Sequence, residues 1–209
     1  MTHEELVNWL CCAAAYFGKT SDKDWIVSRK KIFEDILVSM QNRDHPDPAQ
    51  RDGVMDLDSD KCGAESEITT YDSLDASLGQ SRRNIYLAVK CWAGYLALER
   101  IFSLLGDSDR ARQSHHSAVL CSKTIVSGFN PALGHIPSIL DGKDKSAIIP
   151  AIEGLVFPYY SGQKEFLSET GEFAELIRVL RSHLVNILKP GKCLFKDKGW
   201  KLSSNNINS

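Results

Sequence analysis

Two carboxylic acids stand three residues apart in the run Glu67-Ile68-Thr69-Thr70-Tyr71-Asp72-Ser73-Leu74-Asp75, a polar segment just ahead of a long amphipathic stretch beginning near Gln80. A carboxyl group fixed at a loop-to-helix junction can transfer protons. Glycosidic bonds, for example, break when one acid protonates the leaving oxygen and a second carboxylate attacks the sugar carbon or activates water. The acid must hold its proton near neutral pH, which takes an apolar surround or a nearby like charge. Tyr71 and Leu74 offer the first; Glu65, Glu67 and Asp75 offer the second. The same spacing also suits plain structure, with Asp75 capping a helix that begins near Ser77 and Asp72 closing an Asx-turn. Residue types and spacing leave both readings open.

Other residues invite chemistry less specifically. Acids at alternate positions between Asp52 and Asp60 resemble a calcium loop. They lack its central glycine and terminal glutamate, so no metal is expected. His135 and Glu153 flank a Gly- and Pro-rich stretch, where such groups hydrogen-bond sugars or simply cap helices. Phe157, Tyr159 and Tyr160 offer faces on which a sugar ring can stack. Trp92 and Tyr95 fall at core spacing. Cys11, Cys12, Cys62, Cys91, Cys121 and Cys193 form no Cys-x-x-Cys pair and read as free thiols, mostly buried.

Composition narrows the classes. The chain has 209 residues and a formal net charge of −2, long enough to bury a sizeable core and without the basic field of a nucleic-acid binder. No apolar run reaches membrane-spanning length, and the N-terminus lacks a secretory pattern, so a cytoplasmic location is expected.

The elements that position these groups read as almost all helix. A first helix is predicted over 2–16, with a Thr2/Glu5 capping box and a stop at Gly18. A second over 22–42 carries the stripe Trp25, Ile32, Phe33, Ile36, Leu37 and Met40. The short link predicts an antiparallel hairpin. An irregular stretch follows over 43–77. A third helix over 78–105 is apolar on most of its surface and should be covered on several sides. A fourth starts at Asp107 or Ser108 and runs to 127. After a loop over 128–145 come a short helix over 147–156, an aromatic turn at Phe157-Pro158-Tyr159-Tyr160, and a sixth helix over 171–188 ended by Pro190-Gly191. Helical hairpins with alternating long and short loops suit a toroid or a simple bundle. The pattern alone does not choose.

The residues Asn42-Arg43-Asp44-His45-Pro46-Asp47-Pro48, Ile68-Thr69-Thr70-Tyr71-Asp72-Ser73-Leu74-Asp75, Leu78-Gly79-Gln80 and Asn84-Ile85-Tyr86-Leu87-Ala88-Val89-Lys90-Cys91-Trp92 resemble glycoside hydrolase family 52, a family of bacterial beta-xylosidases. The Thr-Tyr-Asp core is also similar to the acid motif of the related family 116. The resemblance implies an all-α fold, part of an (α/α)6 toroid. It implies retaining hydrolysis of short xylo-oligosaccharides by a glutamate nucleophile and an aspartate acid/base, with no cofactor. By motif match the aspartate is Asp72. Tyr71, Asp75, His135 and Glu153 are the expected sugar-binding residues.

Family members carry an N-terminal beta-sandwich, and their nucleophile lies upstream of anything matched here. Residues 1–209 are therefore expected to form a single, incomplete helical domain, with Met1 internal to a longer coding sequence. Apolar faces left open on the first and last helices would favour self-association. The competing reading is a non-catalytic helical scaffold or interaction domain, which would have a closed core and polar outer helices.

Overall fold

A computed structural model describes residues 2–58, 69–70, 79–195, 197 and 199–204. Among them the regular structure is all helical, with no strand beyond isolated bridges. Seven α-helices pack on one another as a partial toroid-like array, joined by 3₁₀ turns and loops.

Helix α1, His3–Thr20, starts as its sequence dictates: Thr2 Oγ1 accepts from the Glu5 amide and the Glu5 carboxylate accepts from the Thr2 amide. It does not stop at Gly18. The helix continues to Thr20 and is capped by Ser21, which adopts a left-handed conformation at φ 57°. Gly18 serves packing instead, because a Cβ there would lie 2.8 Å from the backbone of Ser161.

The predicted second helix is two. Asp22 caps α2, Lys23–Val27, and α3 spans Lys30–Asp44. Between them Ser28 Oγ and the Arg29 guanidinium both donate to the Trp25 carbonyl, a local alternative that breaks the helix. Tyr16 meets Trp25, Trp9 meets Phe33, and Leu10 and Met40 both reach Gly94, so α1 and the α2–α3 arm run antiparallel. Phe33, Ile36, Leu37 and Met40 are buried as the stripe requires, while Ile32 is exposed. The apolar face of α1 is covered as well: Leu6, Val7, Leu10 and Cys11 are buried, against the expectation of an open first helix.

Helix α4, Ile85–Leu104, is the centre. Asn84 caps it by accepting from the Leu87 amide at 2.8 Å, and sixteen of its twenty residues are buried, including Trp92 and Tyr95. It begins later than the predicted residue 78. Arg83 sits at φ 57°, its amide donating to the Met55 carbonyl and its carbonyl accepting from Leu140, so loop contacts hold the residues just before the helix. A tight turn at Gly106 leads into α5, Ser108–Ser127, capped by Asp107. These two helices form the main hairpin, and α1, the 3₁₀ turn Ile149–Leu155 and the short helix that follows it, Val156–Ser161, also pack on α4.

The predicted helix over 147–156 is instead that 3₁₀ turn, with Pro150 in its first turn. It leads directly into α6, Val156–Ser161. The aromatic run expected as a turn is therefore helical, with Tyr159 and Tyr160 exposed. Helix α7, Ala174–Ile187, closes the described array. His115 on α5 links α4 to the approach to α7, standing 3.1 Å from Glu99 and 2.9 Å from Glu172. Burial pulls its pKa down, but the two carboxylates outweigh burial and hold it above the ordinary histidine value. No described helix is long and apolar enough to cross a membrane. Four described cysteines are buried free thiols and Cys12 is exposed; Cys62 lies outside the described residues.

Two buried groups give the fold a pH dependence. His183 on α7 accepts from the Ile136 amide through Nδ1 and donates through Nε2 to the Ile148 carbonyl, so it is held neutral. Burial lowers its pKa to about 4. Against an unfolded value near 6.5, its contribution is complete above that pH and lost as pH falls toward 4, on the order of 3 kcal/mol in all. Asp44 acts oppositely: burial raises its pKa to about 6, so its contribution is present below the unfolded value and lost as pH rises through 6. Between pH 6.5 and 4.5 the two contributions run in opposite directions and nearly offset each other. Over that range urea midpoints should fall as pH is lowered in Asp44→Asn, which leaves only the His183 contribution, and rise in His183→Gln, which leaves only that of Asp44. The same slope in both variants would contradict this account.

A packing test follows from Gly154, where a Cβ would lie 2.6 Å from the backbone of Val89. Gly154→Ala should cost about 1–3 kcal/mol in urea unfolding; an unchanged midpoint would mean the turn is free to lift off α4.

Candidate functional site

The run containing the two acids is described at its root. Tyr71, Asp72 and Asp75 lie outside the described residues, whereas Thr69 and Thr70 are placed and buried. The Thr69 amide donates to the Gly79 carbonyl at 2.9 Å, and its hydroxyl donates to the Ser81 carbonyl at 3.0 Å. On the other side the Glu4 amide donates to the Thr69 carbonyl at 3.1 Å, and the Thr70 hydroxyl donates to Glu4 Oε2 at 2.6 Å. The root of the run is thus clamped between the first turn of α1 and the turn that leads toward α4.

Behind this clamp lies a buried polar cluster. Glu4 Oε1 accepts from the Tyr86 hydroxyl at 2.5 Å. That hydroxyl in turn accepts from Lys90 Nζ at 2.5 Å. Lys90 also donates to Asn8 Oδ1 at 2.9 Å and pairs with Glu153 at 3.1 Å, with Glu4 at 3.8 Å. The spacing i, i+4 places Glu4 with Asn8 on one face of α1, and Tyr86 with Lys90 on one face of α4. Lys90 is 1% exposed. An ammonium so buried costs several kcal/mol unless its three donors are matched, and here Tyr86, Asn8 and Glu153 match them. The Lys90 charge is set against two carboxylates, Glu4 and Glu153.

Glu153, expected as a sugar ligand, therefore stands at this cluster, on the 3₁₀ turn and with its side chain 46% exposed. His135 stands apart. Its ring is buried, with Nδ1 3.1 Å from the Leu133 carbonyl and 3.2 Å from Lys192 Nζ, and Nε2 3.2 Å from the Lys145 carbonyl. It ties the loop over 128–148 to itself. Tyr159 and Tyr160 lie edge to face on the surface of α6, with Lys164 over the Tyr159 ring.

The acids between Asp52 and Asp58 are engaged by arginines. Arg83 pairs with Asp52 at 2.6 Å and Asp56 at 3.6 Å, and Arg82 pairs with Asp58. Buried Asp44 accepts from the amides of Asp52 and Gly53. Among the described residues no group of three His, Cys, Asp or Glu is placed to hold a metal ion.

Neither Lys90 nor Glu4 stands out by motif. The signal for Lys90 is that it is the one charge between Ile85 and Leu98, in a stretch apolar all around the helix. Glu4 reads simply as a favourable acid at a helix N-terminus. Their partnership joins residues far apart in the chain and has no local signature.

No family model matches the chain. It is 53% identical over all 209 residues to a beta-xylosidase of Geobacillus stearothermophilus, covering 30% of that protein. It is 38% identical over 133 residues to a second beta-xylosidase from the same organism, covering 21% of that one. The chain is thus homologous to a segment of these proteins and spans less than a third of their length.

The cluster yields a stability test. Lys90→Ala leaves Tyr86 and two carboxylates facing an empty site and should cost about 3–5 kcal/mol in urea unfolding. Pairing Lys90→Met with Glu153→Gln should recover part of that loss. A Lys90→Ala midpoint within error of the parent would show that water satisfies the cluster as well as lysine does.

Proposed function

We propose that this chain is part of the helical catalytic region of a retaining beta-xylosidase of glycoside hydrolase family 52, with Asp72 as its general acid/base. The observation that carries the reading is the full-length match, at 53% identity, to a segment of a beta-xylosidase. Two features are consistent with it: the all-helical architecture and the fixed root of the Thr69-Thr70-Tyr71-Asp72 run.

In this reading Asp72 protonates the glycosidic oxygen as the bond to the xylose carbon breaks. As a carboxylate it then takes a proton from the water that releases the sugar. Its partner is a glutamate about 5–5.5 Å away across the sugar, the separation that retention requires. Family resemblance places that glutamate before the first residue of this sequence, so these 209 residues hold one half of the pair. Tyr71 and Asp75 flank the acid and shape the sugar site, with Glu153 as a further polar contact. His135 contributes by holding the loop over 128–148 rather than by touching sugar. The substrate is a short xylo-oligosaccharide, and the chemistry needs no cofactor. Apolar side chains exposed on α3 and α7, Val38 and Val185 among them, are the surfaces for self-association.

The purified chain should release no measurable xylose from xylobiose. A chimera in which it replaces the matching segment of the Geobacillus protein should be active, and Asp72→Asn in that chimera should lower kcat/KM on xylobiose by about 10²–10⁴-fold. Robust hydrolysis by the isolated chain, or full activity of the Asp72→Asn chimera, overturns the assignment.

A further inference from the structure

We propose that the cavity beside Arg83, where the start of α4 meets the end of α5 and the loop over 128–145, is a binding site for a neutral sugar unit. The class of ligand follows from the cavity itself; the choice of a xylose chain as that ligand rests on the proposed function. Three observations carry the inference.

The first is size and lining. The cavity holds about 460 Å³, inside the range of about 300–1,000 Å³ that small-molecule sites occupy. Phe129, Pro131 and Pro137 give it apolar walls, and Arg83, Asn130 and Asp144 give it polar ones. A sugar ring presents the matching pair of surfaces, C–H faces that pack on rings and a rim of hydroxyls. The cavity also stands at the N-terminal end of α4, the end at which the Ser81 carbonyl receives the Thr69 hydroxyl.

The second is that the walls are fixed. Arg83 holds a left-handed backbone, φ 57°, which costs energy in a residue with a side chain. It is kept there by its amide, which donates to the Met55 carbonyl, and by its carbonyl, which accepts from the Leu140 amide, each at 2.9 Å. The Ile85 amide donates to the Ser138 carbonyl at 2.9 Å, so residues 138–140 lie along 83–85 as one wall. On the facing wall the Asn130 amide donates to the His135 carbonyl at 3.1 Å. Asn130 Oδ1 accepts from the Ala132 and Leu133 amides at 2.9 and 3.2 Å. Strain of the Arg83 kind concentrates at functional sites, and here it stands on a cavity wall.

The third is charge. Arg83 gives its guanidinium to Asp52 at 2.6 Å, to Asp56 at 3.6 Å and to the Leu140 carbonyl at 3.4 Å, so its charge is matched within the protein. Asp144 accepts from the Ser138 hydroxyl at 2.6 Å and the Ile139 amide at 3.1 Å. Burial works against its carboxylate, but these donors and Ser146 outweigh burial and hold its pKa below the ordinary aspartate value. An anion would meet no unmatched positive charge and a fixed negative one. A cation would find each carboxylate already paired. The side-chain donor left for a ligand is Nδ2 of Asn130, because its Oδ1 is engaged by two amides. A neutral polyol fits this balance.

The test titrates the intact ¹⁵N-labelled chain with xylobiose and follows its amide resonances. Saturable shifts in the millimolar range are expected at Phe129, Asn130, Leu140 and their neighbours. Xylonate, a sugar acid with the carbon skeleton of xylose, should produce none. Asn130→Asp keeps an oxygen for the Ala132 and Leu133 amides but removes the donor and adds a negative charge; it should weaken xylobiose binding about 10-fold. Ser127, whose hydroxyl donates to the Thr124 carbonyl of its own helix, also lines the cavity. Ser127→Trp places an indole there and should abolish the shifts with an unchanged circular dichroism spectrum. No saturable shift with xylobiose, cellobiose or maltose overturns the proposal. So do shifts gathered at Tyr159 and Tyr160 instead, or undiminished binding in both variants. Binding of cellobiose but not xylobiose supports the sugar site and counts against the beta-xylosidase assignment, which hydrolysis by the chimera judges separately.

Discussion

A helix covered on nearly every side has no room for an unmatched charge, and α4 carries one. Lys90 sits among Val89, Cys91 and Trp92 with almost no solvent contact, and its ammonium must find acceptors on the elements that surround it. They come from α1 as Asn8, from α4 itself as Tyr86, and from the 3₁₀ turn as Glu153. Satisfying one cation thus sets the relative placement of three elements that apolar packing alone would leave free to slide. His3, whose Nε2 lies 2.9 Å from Cys91 Sγ, pins the start of α1 to α4 close by. Through Glu4 that placement reaches the polar run on which the proposed chemistry depends.

The sequence was legible where its signals were local. Thr2 with Glu5, Asp22, Asn84 and Asp107 cap helices through their own side chains. The all-round apolar character of the third predicted helix foretold its central position. Legibility failed where a distant part of the chain decided the outcome. Gly18 looked like a stop, but its role is set by Ser161, whose backbone lies 2.8 Å from where a Cβ on Gly18 would stand. Asn84, not residue 78, starts α4, because Met55 and Leu140 occupy the backbone groups of Arg83. The 3₁₀ turn 149–155 seats Gly154 against the backbone of Val89, a contact that no local propensity encodes.

The candidate site divides along the same line. Asp72 is proposed from a motif, and a motif is a local pattern. The groups that hold its root are scattered over four parts of the chain. A lysine alone in an apolar helix was the available clue, and its partners could not be named without knowing which helices touch. His135 shows the converse: its place in a Gly- and Pro-rich loop suggested a ligand-facing group, while the ring is turned inward to satisfy carbonyls that the loop exposes by lacking regular structure.

The span of the Glu4 contacts also bears on how the chain assembles. Glu4 meets Thr70 across 66 positions and Tyr86 across 82. During synthesis the first turn of α1 emerges well before any of these partners, and closing such long loops is a late event in folding. The root of the acid-bearing run therefore cannot be ordered until α4 has formed and docked. Until then Leu6, Val7 and Leu10 of the nascent chain wait uncovered, an apolar face for a chaperone to shield.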